Sequence, residues 1–162
     1  MAKGRRAELE QVVANLGEER LAILGSVDPE GHPHLSTVSW FRGRPPAKVD
    51  LLIGGTAAFL RNIAERPFAT LMVFQETVYA LEGRAEILEP HVADMPIPLS
   101  LVRLTLHDAY DGLFTGGVLV SGPQYRKNYP VKLRHLDQRV EQYLASLDDP
   151  THADRLPTHP SV

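Results

Sequence analysis

Residues 50–74, DLLIGGTAAFLRNIAERPFATLMVF, carry groups that can hold a phosphate without a metal. They read as a strand, a Gly54-Gly55 turn, a short helix opened by Thr56, a stop before Pro67, and a second strand. That order sets free backbone N–H groups and the positive end of a helix dipole beside a sheet, the usual anion cradle. Gly55, Thr56, Arg61 and Asn62 are the candidate ligands. Each also has a plainer role. Thr56 is either the helix N-cap or a phosphate ligand, and the two roles can coincide. Gly54-Gly55 turns the chain with or without a ligand, and no Gly-Lys-Ser/Thr follows to make a P-loop. Arg61 and Arg66 also suit a solvated helix face, and Asn62 suits a brace at the turn.

A second candidate group is the strand HLSTVSWF, residues 34–41. Alternation puts Ser36 and Ser39 on opposite faces, with Thr37 beside Ser39, so one serine at most is expected to face a bound ring. Val38 lies between them. Trp40, the only tryptophan, either stacks on a planar cofactor or packs at a subunit contact. His32 and His34 form an H-x-H pair, but Pro33 interrupts the strand and no third ligand is spaced to join them, so no metal is expected. His107 and His135 read as surface or interface histidines. Residues 124–129, QYRKNY, set two tyrosines beside Arg126 and Lys127, either to reach over a partner's groove or to lead into the last helix. No Ser/His/Asp set or carboxylate pair emerges from the spacing.

The elements that must position these residues are short. Ala7–Leu16 has an apolar stripe of Leu9, Val12, Val13 and Leu16 and is expected to be a capping helix. Leu21–Val27 and His34–Phe41 flank a turn at Asp28-Pro29-Glu30-Gly31, where Pro sets one φ and Gly accepts a positive one. Arg42–Ala47 reads as a loop, Val49–Ile53 as a strand, and Phe68–Phe74 as another. Thr77–Leu88 alternates most clearly, with Tyr79, Leu81, Gly83, Ala85 and Ile87 on one face and Glu82, Arg84 and Glu86 on the other. Pro90, Pro96 and Pro98 break the sheet before Leu99–Ala109. Gly116-Gly117 predicts a turn and Val118–Ser121 a last strand. Lys132–Leu147 predicts a helix striped by Leu133, Leu136, Val140, Tyr143 and Leu144. The sum is a mainly β protein, an antiparallel six-to-seven-stranded split barrel with peripheral helices. Residues 1–147 form the domain; 148–162, polar with three prolines, read as a disordered tail.

Composition narrows the classes. A chain of 162 residues with 43% hydrophobic and 23% charged residues is one globular domain. A formal charge of -3 favours neither nucleic acid nor an anionic membrane. With no cysteine, disulfides, thiolate nucleophiles and iron–sulfur clusters are excluded. The basic N-terminal residues precede no apolar run, so no signal peptide is read. No stretch approaches the ~20 apolar residues of a membrane span. The expected location is cytoplasmic.

The order of these pieces resembles the pyridoxamine 5'-phosphate oxidase-like family of FMN-binding split barrels. The resemblance is carried by residues 21–41, by Arg61-Asn62-Ile63 with Pro67 before strand FATLMVF, by VYALEGRAEIL at 78–88, and by GLFTGGVLVSGPQYRKNY at 112–129. The last piece is similar to a small bacterial subgroup. The resemblance implies a homodimer with two FMN molecules in grooves at its interface, the ring along Ser36–Trp40 and the phosphate at Thr56–Asn62. FMN-binding members usually place Ser and then Lys or Arg just before the Asn; here Ala57, Ala58 and Phe59 stand there. Charge-assisted hydrogen bonds worth roughly 1.5–3 kcal/mol each are therefore missing, and weak FMN binding is expected. Three functions follow from the family: an FMN oxidoreductase other than pyridoxamine phosphate oxidase itself, a binding or structural dimer that has lost FMN, or a haem-binding relative using His107 or His135.

Overall fold

The computed structural model describes residues 3–16 and 21–149. Seven strands form one antiparallel sheet curled into a half-barrel. They are β1 (Ala22–Val27), β2 (Pro33–Val38), β3 (Phe41–Arg44), β4 (Lys48–Gly54), β5 (Phe68–Phe74), β6 (Val78–Glu89) and β7 (Leu99–Asp111). Their order is β2-β1-β5-β6-β7-β4-β3. Three helices accompany them: α1 (Lys3–Ala14), α2 (Ala58–Glu65) and α3 (Leu136–Ser146).

The mainly β split barrel is as the sequence predicts, and β5 has the predicted ends. The β1–β2 turn closes with Gly31 at φ 94° and its N–H on the Asp28 carbonyl at 3.0 Å. Such a φ is open to glycine at little cost.

Four expectations need correction. Residues 34–41 are not one strand: β2 ends at Val38, and after Ser39-Trp40 the chain starts β3 at the opposite edge of the sheet. The expected loop at 42–47 is therefore partly strand. It pairs with β4, Arg42 opposite Asp50 and Gly43 opposite Val49, and on its other edge the Gly43 N–H donates to the Leu16 carbonyl, just past α1, at 2.6 Å. A Cβ on Gly43 would lie 1.8 Å from the Val13 oxygen, so only glycine admits the helix end there. Second, Val118–Ser121 pairs with no strand, and 112–130 has no regular structure, although it is largely exposed. Third, the C-terminal helix is split into a 3-10 turn, Val131–Leu133, and α3. Fourth, Ala57 is the N-cap residue of α2 and makes no side-chain cap bond, so Thr56 is not the cap.

Two apolar cores lie on the two sides of the sheet. Inside the curl, Leu24, Leu51, Leu71, Leu81, Val102 and Leu104 meet α1 through Leu9 and Val13 and α2 through Phe59 and Ile63. Outside it, Leu52, Leu99 and Leu101 meet Leu136, Val140 and Leu144 of α3. Strand β4 is thus buried on both faces, and Asp50 lies in it with no exposed surface. A bare carboxylate there would be very costly, so it must be neutralised in place. Arg103, its register partner on β7, donates Nε and Nη2 to it at 2.7 and 2.9 Å. Arg44 donates Nε at 2.9 Å. The bond to Asp50 holds the Arg103 guanidinium above its ordinary pKa. Arg44 also reaches the Leu144 carbonyl and Asp148, and Arg42 pairs with Asp148 at 2.8 Å. These bonds tie the C-terminal end of α3 to the sheet. Asp148 and Asp149 thus lie within the ordered fold, while the rest of the expected tail, 150–162, lies outside the described residues.

Asp50→Ala leaves two arginines facing each other without their carboxylate. It is expected to lower unfolding stability by about 3–5 kcal/mol, read from urea midpoints at unchanged slope. Replacing Asp50, Arg44 and Arg103 together with Leu, Met and Met should cost less than Asp50→Ala alone.

Candidate functional site

Because the sheet curls, its two edge regions approach each other, and a cleft of about 240 Å³ opens between them. Ser36–Trp40 form one side, Leu52–Gly54 of β4 the other, and Ala57 and Phe59 at the start of α2 close one end; Tyr129 comes from the irregular segment. Strand β2 and strand β4 stand five places apart in the sheet order, so only the curl brings them together. The Trp40 carbonyl accepts the Leu52 N–H at 3.0 Å, which pins the crossing between the edges.

The structure brings together all five residues expected along a ring. Both serines border the cleft, contrary to the strict alternation, because β2 ends at Val38 and Ser39 is no longer held in the pleat. The expected phosphate ligands do not join them. Gly55 and Thr56 sit in the exposed turn just past the cleft residue Gly54. The Gly55 N–H is taken by the Pro98 carbonyl at 3.0 Å. Arg61 is exposed on α2 and does not border the cleft. Asn62 is buried at 1% exposure, on the stripe it shares with Phe59 and Ile63. Its Nδ2 donates to Ser26 Oγ at 3.0 Å, so its amide braces α2 against β1.

Among the described residues no side chain bordering the cleft carries a charge. Hydroxyls of Ser36, Thr37, Ser39 and Tyr129 supply its polarity, and Trp40, Phe59, Val38, Leu52 and Ile53 its apolar surface. Tyr129 stays protonated, because burial first, then the nearby Asp137 carboxylate, push its hydroxyl up to about 12. This lining suits a flat, largely apolar ring with hydrogen-bonding edges. Toward a phosphate it offers only the backbone at the start of α2.

One contributor was not legible in the sequence. Asp137, in the first turn of α3, accepts from Trp40 Nε1 at 2.8 Å, from Lys127 Nζ at 2.6 Å and from Tyr129 OH at 3.3 Å. Trp40 and Asp137 are 97 residues apart, beyond any local pattern. The QYRKNY segment is thereby a lead into α3 whose Tyr129 borders the cleft of its own chain. His107 and His135 are both exposed and neither borders the cleft. Among the described residues no cluster of three or more His, Cys, Asp or Glu could hold a metal, and no helix is long and apolar enough to cross a membrane.

Residues 9–100, more than half of the chain, match the family model for pyridoxamine 5'-phosphate oxidase. The chain belongs to that family. Among solved structures it is similar to HupZ of Group A Streptococcus, with 15% identity, a TM-score of 0.53, and coverage of 71% of this chain and 98% of that one. A candidate pyridoxamine 5'-phosphate oxidase of Lactobacillus delbrueckii has 18% identity, a TM-score of 0.52, and coverage of 68% and 93%. HutZ of Vibrio cholerae, described as a heme storage protein, has 15% identity, a TM-score of 0.48, and coverage of 66% and 94%. The two structures with TM-scores above 0.5 show a shared fold and, at these identities, nothing finer. A search of curated protein sequences finds no match.

Asn62→Ala should remove the bond to Ser26 and lower stability by about 1–3 kcal/mol. Chemical denaturation measures that loss. Because the side chain lies away from the cleft, ligand affinity measured well below the melting temperature should stay unchanged.

Proposed function

We propose that this protein is a flavin-binding split-barrel homodimer, an oxidoreductase that holds FMN weakly. The observation that carries the reading is the cleft itself: Ser36–Trp40, the open end of β4 and the start of α2 meet around one uncharged, part-aromatic space. The ring would lie along Ser36–Trp40, and the phosphate would point past Gly54 toward Gly55, Thr56 and the backbone at the head of α2. Arg61 would be the nearest cation from that segment, and it stands off the cleft. FMN, when bound, supplies the redox chemistry. The chain's own groups supply position: hydroxyls for the ring edges, Trp40 for its face, and a neutral Tyr129 at the wall. Oxidation of pyridoxamine phosphate is not part of the proposal, since a second phosphate would need a basic cluster and no Lys, Arg or His borders the cleft.

Two features support a dimer. At about 240 Å³ the cleft is smaller than the ~300–1,000 Å³ typical of small-molecule sites, as half of a shared groove would be. The chain also exposes Leu35, Phe68, Phe114, Val118 and Val120, each more than 60% accessible. Apolar exposure on that scale fits a surface that a second copy covers. Light scattering at micromolar concentration should give twice the chain mass; a stable monomer refutes the dimer.

The visible spectrum of purified protein tests the cofactor. Flavin bands, as purified or after adding FMN, support the proposal; a Soret band assigns haem; neither band, with no binding of added FMN, leaves the binding or structural dimer. Because Ala57, Ala58 and Phe59 supply no cation, protein should purify partly or wholly free of flavin. Ala58→Arg should tighten FMN binding by about tenfold, the size of one ~1.4 kcal/mol contact, by calorimetric titration. Nanomolar binding in the natural protein that Ala58→Arg weakens would show that the phosphate is clamped elsewhere.

A further inference from the structure

Three donors converge on one oxygen of Asp137, and two of them, Trp40 and Tyr129, form the aromatic wall of the cleft. Asp137 and Lys127 do not border the cleft themselves. The Lys127 ammonium lies 5.2 Å from the centroid of the Trp40 ring and 5.8 Å from those of Tyr125 and Tyr129, within cation–π range. Tyr129 and Lys127 belong to the stretch 112–130, which has no regular structure to hold it. Nor does close packing alone fix Trp40. It has the cleft on one side, and it also borders a separate void of about 40 Å³ against Val140 and Leu144 of α3. Trp40 and Tyr129 both touch the outer core, and the polar link between strap and indole is a carboxylate and an ammonium.

We propose that Asp137 is a positioning residue: it fastens the strap 124–130 against Trp40 and so builds the wall of the cleft. The negative charge is required, because an ammonium, an indole N–H and a phenol O–H all donate to the same oxygen. A neutral group at 137 removes the ion pair with Lys127, the strap lifts, and both Trp40 and the cleft gain water. The effect on ligand binding rests on the flavin reading above; the effect on Trp40 does not.

Trp40 is the only tryptophan, so the protein's indole fluorescence reports this wall and nothing else. The experiment compares emission maximum and acrylamide quenching in the full-length natural protein, Asp137→Asn, Asp137→Glu and Lys127→Met, well below their melting temperatures. Asp137→Asn and Lys127→Met should shift emission to the red and raise quenching; Asp137→Glu, which keeps the charge, should stay near the natural protein. Unchanged emission and quenching in both uncharged variants overturns the proposal. If Asp137→Asn fails to fold by circular dichroism, Lys127→Met decides, since its side chain belongs to neither apolar core. FMN titration is the second arm, with an expected loss of about tenfold in both uncharged variants. Changed emission with unchanged FMN affinity overturns the claim that the strap shapes the site. Absence of FMN binding in the natural protein refutes the flavin reading, while the fluorescence still decides the fastening.

Discussion

A carboxylate with no exposed surface has to be neutralised by its immediate surroundings, and Asp50 sets that demand for this fold. It stands in β4, a strand buried by the inner core on one face and by α3 on the other. Arg103 satisfies it from β7 and Arg44 from β3. Those bonds join three neighbouring strands on the side of the sheet that α3 covers. A buried ion cluster of this kind is weak evidence for net stability, because desolvation opposes the Coulomb gain. Its contribution is arrangement: the charges are satisfied only when β3, β4, β7 and the end of α3 are in register.

Helix α3 carries that arrangement to the cleft. Its C-terminal end is held by Arg44 through the Leu144 carbonyl and Asp148, and its middle by Leu136, Val140 and Leu144 on the outer core. Tyr143 adds a 2.6 Å bond to Glu89 at the end of β6. The first turn of the same helix presents Asp137 to Trp40, Lys127 and Tyr129. One short helix therefore links a charge cluster that orders the sheet to a second cluster that orders the cleft wall. The cleft geometry depends on contacts distant from it in sequence at both ends of the helix.

The two ends of the candidate site differ in kind. Along Ser36–Trp40 the chain offers hydroxyls and an indole, as a ring-binding groove requires. At the head of α2 the side chains that usually meet a phosphate are absent, and Asn62 is committed to Ser26. The backbone at that helix end still favours an anion, but a helix dipole near solvent contributes only about 0.3–1 kcal/mol. A split barrel can thus keep the space for a flat ring while losing its charged grip on a phosphate.

By itself the sequence determined most of the strands and their alternation, because period-two burial and turn residues are local properties. Tyr79 and Leu81 of β6 face the core as the pattern requires, and Gly31 turns where Pro29 and Gly31 say it should. It also marked Ala57, Ala58 and Phe59 as a departure, since a missing cation is visible without coordinates. Only the tertiary structure decided the rest. That β2 ends at Val38 depends on the chain leaving for the far edge of the sheet. That Arg42–Arg44 is strand depends on its pairing with β4, and its Gly43 is where α1 docks. Val118–Ser121 has strand-like residues but pairs with no strand, so its pattern decides nothing. Asp50 and Asp137 look like ordinary charged residues in the sequence. Their most distant partners lie 53 and 97 residues away, and contacts at that separation exist only once the sheet has curled and α3 has packed on it.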